Sequence, residues 1–118
     1  MKRTPAFALV MAALFAVLGC GRAPEPVLLS YFFLPLCPTC PETAQMDAIA
    51  GELAGIDRTH EHVTVQIHNL RHEEGSVALR EAAGSAGIDA RMLAFPVLFE
   101  NGSVHAGFEE IADYLASW

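Results

Sequence analysis

Hydrophobic residues follow a strand pattern and then a helix pattern in the first part of the chain after residue 26. Residues 27–33 form a continuous apolar, aromatic-rich run that ends before Pro35, and this run is typical of a central strand covered on both faces. Residues 44–53 then carry apolar side chains near helical spacing, and Gly55 is expected to end that helix. The body of the protein therefore begins with a strand and a helix.

The next part of the chain repeats this alternation of strand and helix. Apolar and polar residues alternate over residues 63–68, which predicts a second strand with one face on the core. Residues 76–83 predict a short helix that ends near Gly84. Because each strand is followed by a helix, the two strands are expected to be parallel.

The last part of the chain has the pattern of a hairpin followed by an amphipathic helix. Asn101 and Gly102 lie between two short apolar runs, and both residue types tolerate the positive φ angles of a tight hairpin turn. Residues 108–118 place their apolar side chains along one helical stripe. The predicted element order is β-α-β-α-β-β-α, which is an α/β protein.

The N-terminus has the features of an export signal. Lys2 and Arg3 precede an apolar run over residues 6–18, which is too short to cross a bilayer as a helix but suits a signal peptide. The run ends in Val-Leu-Gly-Cys, which resembles the bacterial lipobox, and the resemblance implies that Cys20 is diacylated and becomes the mature N-terminus. An ordinary cleaved signal and an uncleaved short anchor are the alternatives, and the body is exported in each case.

This interpretation divides the chain into three parts. We expect a lipoprotein signal peptide over residues 1–19, a lipidated cysteine and linker over residues 20–26, and one domain over residues 27–118. The protein would be anchored by lipid to a bacterial membrane and face the periplasm or the cell exterior. A domain of this size can form a single core, and it is expected to be a monomer.

Charge excludes one class of partner. The chain has 14 acidic residues and 7 lysines or arginines, a net charge of −7. Removal of the signal peptide leaves no lysine, only arginines: Arg22, Arg58, Arg71, Arg80 and Arg91. Nucleic acid is not expected as a partner, because too few cations are left to neutralise phosphates.

The cysteines are the main candidates for chemistry. If Cys20 carries lipid, Cys37 and Cys40 are the only other cysteines, in a compartment where disulfides persist. A disulfide across so short a loop removes little chain entropy, so reactivity explains the pair better than stabilisation. At the start of a helix, unpaired backbone N–H groups and the positive end of the helix dipole stabilise a cysteine thiolate relative to the thiol. This predicts Cys37 as the nucleophile and Cys40, one turn inside the helix, as the thiol that resolves a mixed disulfide.

The segment Cys37-Pro38-Thr39-Cys40-Pro41-Glu42, which follows an aromatic strand, resembles the active-site turn of the thioredoxin and glutaredoxin superfamily. The likeness covers residues 27–118. It implies a thioredoxin-like fold with a central mixed four-stranded sheet flanked by helices, and the activity of a thiol–disulfide oxidoreductase. The implied partners are protein thiols and disulfides or a small thiol. No cofactor is implied beyond the redox-active Cys37–Cys40 disulfide.

Pro96 matches the position of the cis-proline in this superfamily. The resemblance therefore implies a cis Phe95–Pro96 bond and a substrate-binding surface made by Pro38, Thr39, Phe95 and Pro96. Three positions depart from the family pattern: Tyr31 replaces the buried carboxylate, Leu36 replaces the tryptophan before the motif, and Phe95 replaces a small β-branched residue before the proline. The segment 88–96 is also several residues longer than in thioredoxin proper. The direction of the reaction is left open by these residues.

Other functions are also compatible with this sequence. Reduced Cys37 and Cys40 could hold Cu(I) through soft thiolates, with Met46 and Met92 as further soft ligands. A non-catalytic module that docks peptides on the proline loop is a third class, although both cysteines are present. No metal site is predicted at the histidines, which are interpreted as solvated: His60, His62, His68, His72 and His105.

Overall fold

The structure is a computed structural model that describes residues 24–118. The signal peptide, Cys20 and the first part of the linker lie outside these described residues. Within residues 24–118, none of the helices has both the length and the apolar character needed to cross a membrane.

The described residues form an α/β structure with four strands and three α-helices. The elements follow in the predicted order, with one short 3₁₀ turn added before the hairpin. They are β1 (Val27–Phe33), α1 (Pro41–Thr59), β2 (Val63–Asn69), α2 (Glu73–Ala86), the 3₁₀ turn (Ala90–Met92), β3 (Val97–Glu100), β4 (Ser103–Ala106) and α3 (Phe108–Ala116).

The strands form one mixed sheet in the order β2-β1-β3-β4. β1 pairs in parallel with β2 and antiparallel with β3, and β3 pairs antiparallel with β4. The predictions that β1 is central and parallel to β2 are confirmed. Because β1 and β2 are parallel, their carboxyl ends lie at the same edge of the sheet, and the cysteine segment leaves from that edge.

Hydrophobic cores cover both faces of the sheet. Leu29 and Tyr31 of β1 pack with residues of α1 and α3, whereas Phe32 packs on the other face with Leu79 of α2. This split follows from the strand geometry, since successive side chains point to opposite faces. Leu53 of α1 is completely buried, and burial of one such side chain contributes about 1.5–3 kcal/mol to stability. The sheet therefore lies between helices, as predicted.

Two helix ends differ from the prediction. Gly55 does not end α1, which continues to Thr59, and Ile56 packs against the core beside β1. Packing of this side chain outweighs the cost of glycine inside a helix, which is about 1 kcal/mol. α2 likewise passes Gly84 and ends at Ala86, before Gly87.

A left-handed glycine explains where α2 stops. Gly87 has φ 70°, a conformation in which glycine has no steric penalty. The N–H of Ile88 then donates to the carbonyl of Ala83 at 2.9 Å. The glycine that terminates this helix lies three residues after the predicted one, and the added helical residues include Ala86, which packs against the core.

The hairpin turn is confirmed. Asn101 and Gly102 have φ angles of 47° and 99°, and they join β3 to β4. The side chain of Asn101 also accepts a hydrogen bond from the N–H of Leu28 at 2.7 Å and donates one to the carbonyl of Pro26 at 3.3 Å. The turn is thereby attached to the start of β1.

The last helix is shorter than predicted, and fewer of its apolar side chains are buried. α3 ends at Ala116, and its buried positions are Ile111 and Leu115. Ala112 is exposed, and Trp118 lies beyond the helix with 41% of its surface exposed. The apolar stripe predicted for residues 108–118 is therefore buried only in its central part.

Candidate active site

The cysteines lie in a turn between β1 and α1. β1 ends at Phe33, and Cys40 is the residue that precedes the first turn of α1, with an extended backbone at φ −73° and ψ 143°. The prediction that Cys40 lies one turn inside the helix is wrong. The reason is Pro41, because a residue before proline avoids helical angles, whereas proline fits the first helical position.

Cys37 and Cys40 are joined by a disulfide bond, with their Cα atoms 5.3 Å apart, which is in the normal range for disulfides. The N–H of Cys40 also points to the carbonyl of Cys37 at 3.4 Å. Both cysteines are half-buried. Exposure therefore does not distinguish the two cysteines.

Two threonines contact Cys37. The hydroxyl oxygen of Thr39 lies 3.5 Å from Cys37 Sγ, a distance at which the hydroxyl can donate to a sulfur acceptor. The hydroxyl of Thr43 donates to the carbonyl oxygen of Cys37. Thr43 was missed in the sequence analysis. Its signal is a hydroxyl residue in the first helical turn, since such side chains often bond to nearby backbone groups.

Tyr31 occupies the position that holds a carboxylate in the superfamily pattern. Its side chain is completely buried, and its hydroxyl donates to the carbonyl of Met46 at 3.2 Å. Burial, with a smaller contribution from the charge of Asp47, raises the pKa of Tyr31 above its ordinary value. The phenol is therefore a protonated hydrogen-bond donor that holds β1 to α1, and it is not a proton acceptor for the cysteines.

An apolar groove with a volume of about 450 Å³ lies beside the disulfide. Its walls come from the loop after β1, the first turns of α1, the residue before Pro96, and the start of α3. The lining residues are Leu34, Leu36, Cys40, Glu42, Thr43, Met46, Phe95 and Phe108. Concave sites with mostly apolar walls and a few polar groups are typical of ligand sites. Of the two cysteines, Cys40 lines this groove, where an apolar group could bind.

The four expected substrate-binding residues differ in exposure and in whether they line the groove. Pro38 and Thr39 are exposed, and Phe95 lines the groove together with Cys40. The Phe95–Pro96 bond is cis, which confirms that prediction. The ring of Pro96 is fully buried, and its carbonyl accepts the N–H of Gly107 at 2.8 Å. Pro96 thus belongs to the core, while Phe95 is at the groove.

The backbone of Phe95 is available for pairing. Within residues 24–118, neither its N–H nor its carbonyl makes a backbone hydrogen bond. An unpaired backbone beside a groove is a feature that extended peptides use for recognition.

Charge at the groove is negative. Glu42, in the first turn of α1, is the only ionisable residue other than Cys40 among the described groove residues. An acid in the first turn suits the positive end of a helix dipole, and here the same carboxylate lies at the groove.

Metal-binding side chains are dispersed. Among residues 24–118, no cluster of three or more histidine, cysteine, aspartate or glutamate side chains could hold a metal ion. Met46 lines the groove with Cys40, whereas Met92 is outside the lining and is 82% exposed in the 3₁₀ turn. Of the two methionines considered as soft ligands, the structure brings only Met46 near the cysteines.

Comparison with known proteins adds no family assignment. Neither a scan against protein-family models nor a search of the curated proteins gives a match to this chain. The case for function therefore depends on the disulfide, its two threonines and the adjacent groove.

Proposed function

We propose that the protein is an exported, lipid-anchored thiol–disulfide oxidoreductase with a thioredoxin-like fold. The observation that carries this proposal is the Cys37–Cys40 disulfide at the start of α1, beside an apolar groove. The strand order β2-β1-β3-β4, with helices on both faces of the sheet, supports the thioredoxin-like assignment.

The reaction is an exchange of one disulfide for another. In the reducing direction, the Cys37 thiolate attacks a substrate disulfide, so that a bond forms to Cys37 Sγ and the substrate S–S bond breaks. The departing thiolate takes a proton from solvent. Cys40 loses its proton to solvent, and its thiolate attacks Cys37 Sγ, so that the Cys37–Cys40 bond forms and the bond from Cys37 to the substrate breaks. The second substrate thiolate then takes a proton from solvent. The substrate gains the two electrons that the protein dithiol loses, and the reverse sequence oxidises a substrate.

The residues around the disulfide have distinct roles in this proposal. Thr39 donates a hydrogen bond to Cys37 Sγ, which favours the thiolate that attacks. Thr43 fixes the backbone of Cys37 against α1. The unpaired backbone of Phe95 binds an extended substrate segment, and the groove receives one of its side chains. The partners are protein thiols and disulfides or a small thiol.

The proposed location follows from the N-terminal sequence. The lipid on Cys20 would hold the domain at a bacterial membrane, on the periplasmic or outer side. The linker up to Pro26 has a reach of about 20 Å when extended. β1 begins at Val27, directly after this linker, and the cysteine turn follows the opposite end of the strand, at Phe33.

Measurement of the Cys37–Cys40 redox potential, together with a trapping experiment, tests this proposal. The couple should equilibrate with a thiol–disulfide buffer at a defined potential, and the difference in unfolding free energy between the oxidised and reduced protein should agree with it. In a Cys40→Ser variant, mixed disulfides should accumulate because the resolving thiol is absent. The Cys37→Ser variant should form none. Absence of mixed disulfides in the Cys40→Ser protein would contradict the proposal.

Copper handling is a second candidate because Met46 lines the groove with Cys40. Thiolates and a thioether are ligands that select Cu(I), and Cu(I) would then be the cargo. Competition against a Cu(I) chelator distinguishes the two functions. Tight binding that weakens in a Met46→Leu variant, in a protein without disulfide-exchange activity, would support copper handling instead.

A further inference from the structure

The charge of the groove indicates which disulfides it accepts. We propose that Glu42 selects for polypeptide disulfides whose cysteine is flanked by apolar and basic residues, and against anionic small thiols such as glutathione. This inference rests on the proposed function and specifies its substrate class.

Glu42 has no described counter-charge. It lies two residues after Cys40, is exposed, and lines the groove. Among residues 24–118, it forms no salt bridge. This part of the chain has no lysine, and none of its arginines lines the groove: Arg58, Arg71, Arg80 and Arg91. A ligand that enters beside Cys40 therefore meets a negative charge that these residues do not neutralise.

A second acid lies next to the groove. Phe108 separates the groove from a shallow depression on α1 and α3, and Glu109 lines that depression. Recognition of the carboxylates of glutathione would need cations or several donors at this place. The described lining of the groove and the depression has no cation, and its neutral donors are Gln45 and Thr43, of which Thr43 already donates to the carbonyl of Cys37.

The apolar walls determine the other half of the preference. Leu36 is 82% exposed at the groove. The other apolar side chains of its lining are Leu34, Met46, Phe95 and Phe108. An apolar side chain next to a substrate cysteine would remove this surface from water, which is favourable. Glutathione has no large apolar side chain to do so. A peptide with an apolar residue and a basic residue beside its cysteine satisfies both the walls and Glu42.

If Glu42 acted only on the stability of α1, its substitution would leave the ratio of rates with cationic and anionic disulfides unchanged. The carboxylate also interacts with the N-terminal dipole of α1 and with any thiolate at Cys37. Both effects change the rate with every substrate by the same factor. The ratio of rates with cationic and anionic disulfides cancels them and reports only the charge of Glu42 toward the substrate.

The experiment uses the reduced full-length protein and three small disulfides: cystamine, which is cationic, 2-hydroxyethyl disulfide, which is neutral, and glutathione disulfide, which is anionic. Second-order rate constants are divided by those of a free thiol of similar pKa. We expect the normalised rate constant to be highest for cystamine, intermediate for 2-hydroxyethyl disulfide and lowest for glutathione disulfide. The cystamine-to-glutathione ratio should fall about three- to tenfold in Glu42→Gln, and the preference should weaken as salt rises. The matched control is Glu81→Gln, an exposed acid on α2, which should keep the wild-type ratio.

A pair of disulfide-linked peptides tests the apolar part. They differ only in a Leu or a Ser next to the cysteine, and the Leu peptide should react several-fold faster. An unchanged ratio in Glu42→Gln, or equal rates for the two peptides, would overturn the selectivity while leaving the proposed function intact. Failure of every disulfide to oxidise the Cys37–Cys40 pair would overturn both.

Discussion

The hydroxyl of Thr43 donates a hydrogen bond to the carbonyl oxygen of Cys37, six residues earlier in the chain. This bond joins the first turn of α1 to the residue at which the cysteine turn begins. The other connections that the structure describes within the turn are the disulfide, the Thr39 hydroxyl 3.5 Å from Cys37 Sγ, and a long contact between the N–H of Cys40 and the carbonyl of Cys37. We expect this hydrogen bond to constrain the position of Cys37 when the disulfide is reduced.

We predict that Thr43→Val slows disulfide exchange and destabilises the reduced protein by about 1 kcal/mol, the usual net contribution of a hydrogen bond. Valine has nearly the same shape, so packing is retained. Thr43→Ser keeps the hydroxyl and should restore most of the rate. Urea unfolding of the reduced protein and stopped-flow exchange kinetics measure the two effects. Equal behaviour of the valine and serine variants would show that the bond has no positioning role.

The second prediction concerns the reactivity of the two thiols. Cys37 should alkylate faster than Cys40 and have a thiol pKa below the usual value of about 8.5. Thr39→Val should raise the pKa of Cys37, because the hydroxyl that lies 3.5 Å from its sulfur is lost. The rate of iodoacetamide modification as a function of pH, followed by mass spectrometry, gives both values. Equal rates for the two cysteines would refute the assignment of Cys37 as nucleophile.

The sheet could be predicted from sequence because its signals are local. The apolar run of β1 and the Asn101-Gly102 turn each determine an element without help from distant residues. Helix ends were predicted less well, because Gly55 is a stop signal only if the next residues gain nothing by staying helical. The contact of Ile56 with the core supplies that gain, and sequence periodicity does not reveal it.

The cysteine pair was found from sequence, but its groove was not. Leu34, Met46, Phe95 and Phe108 are far apart in the chain and meet only when the loop after β1, α1 and α3 pack together. A prediction of element order does not determine such a surface. The position of Glu42 at this groove was hidden for the same reason, since an acid at the start of a helix is ordinary unless its neighbours are known.

The third prediction compares two glycines of α2. A Cβ on Gly75 would overlap the backbone carbonyl group of Asn69, whereas nothing lies within 4 Å of a Cβ on Gly84. Gly75→Ala should therefore destabilise the protein by about 1–3 kcal/mol. Gly84→Ala should stabilise it by about 0.5–1 kcal/mol, because alanine loses less entropy in a helix. Urea unfolding measures both, and a stabilising Gly75→Ala would contradict the close approach of α2 to the end of β2.

The fourth prediction concerns the membrane anchor. Cys20→Ser should release the protein from membranes into the soluble exported fraction, because the lipid attaches to this side chain in the proposed precursor. Its rate of disulfide exchange should be unchanged after purification. Cell fractionation with an activity assay measures both. Continued membrane association of the variant would show that the apolar run of residues 6–18 is retained as the anchor.

The last prediction concerns stability at alkaline pH. Burial, then the charge of Asp47, raises the pKa of Tyr31, while burial, then a hydrogen bond to Glu100, raises the pKa of Tyr114 to about 12. Above the ordinary tyrosine pKa of about 10, the unfolded chain therefore binds fewer protons than the folded protein, and stability falls as pH rises. Tyr31→Phe should lower the free energy of unfolding at pH 8 by about 1 kcal/mol, because the bond to Met46 is lost, but its decline above pH 10 should be shallower than in wild type. Urea unfolding at pH 8 to 11 measures both effects. Tyr114→Phe serves as a comparison, because Tyr114 is only partly buried. Parallel decline of the wild-type and Tyr31→Phe proteins would show that Tyr31 is not a source of the alkaline loss.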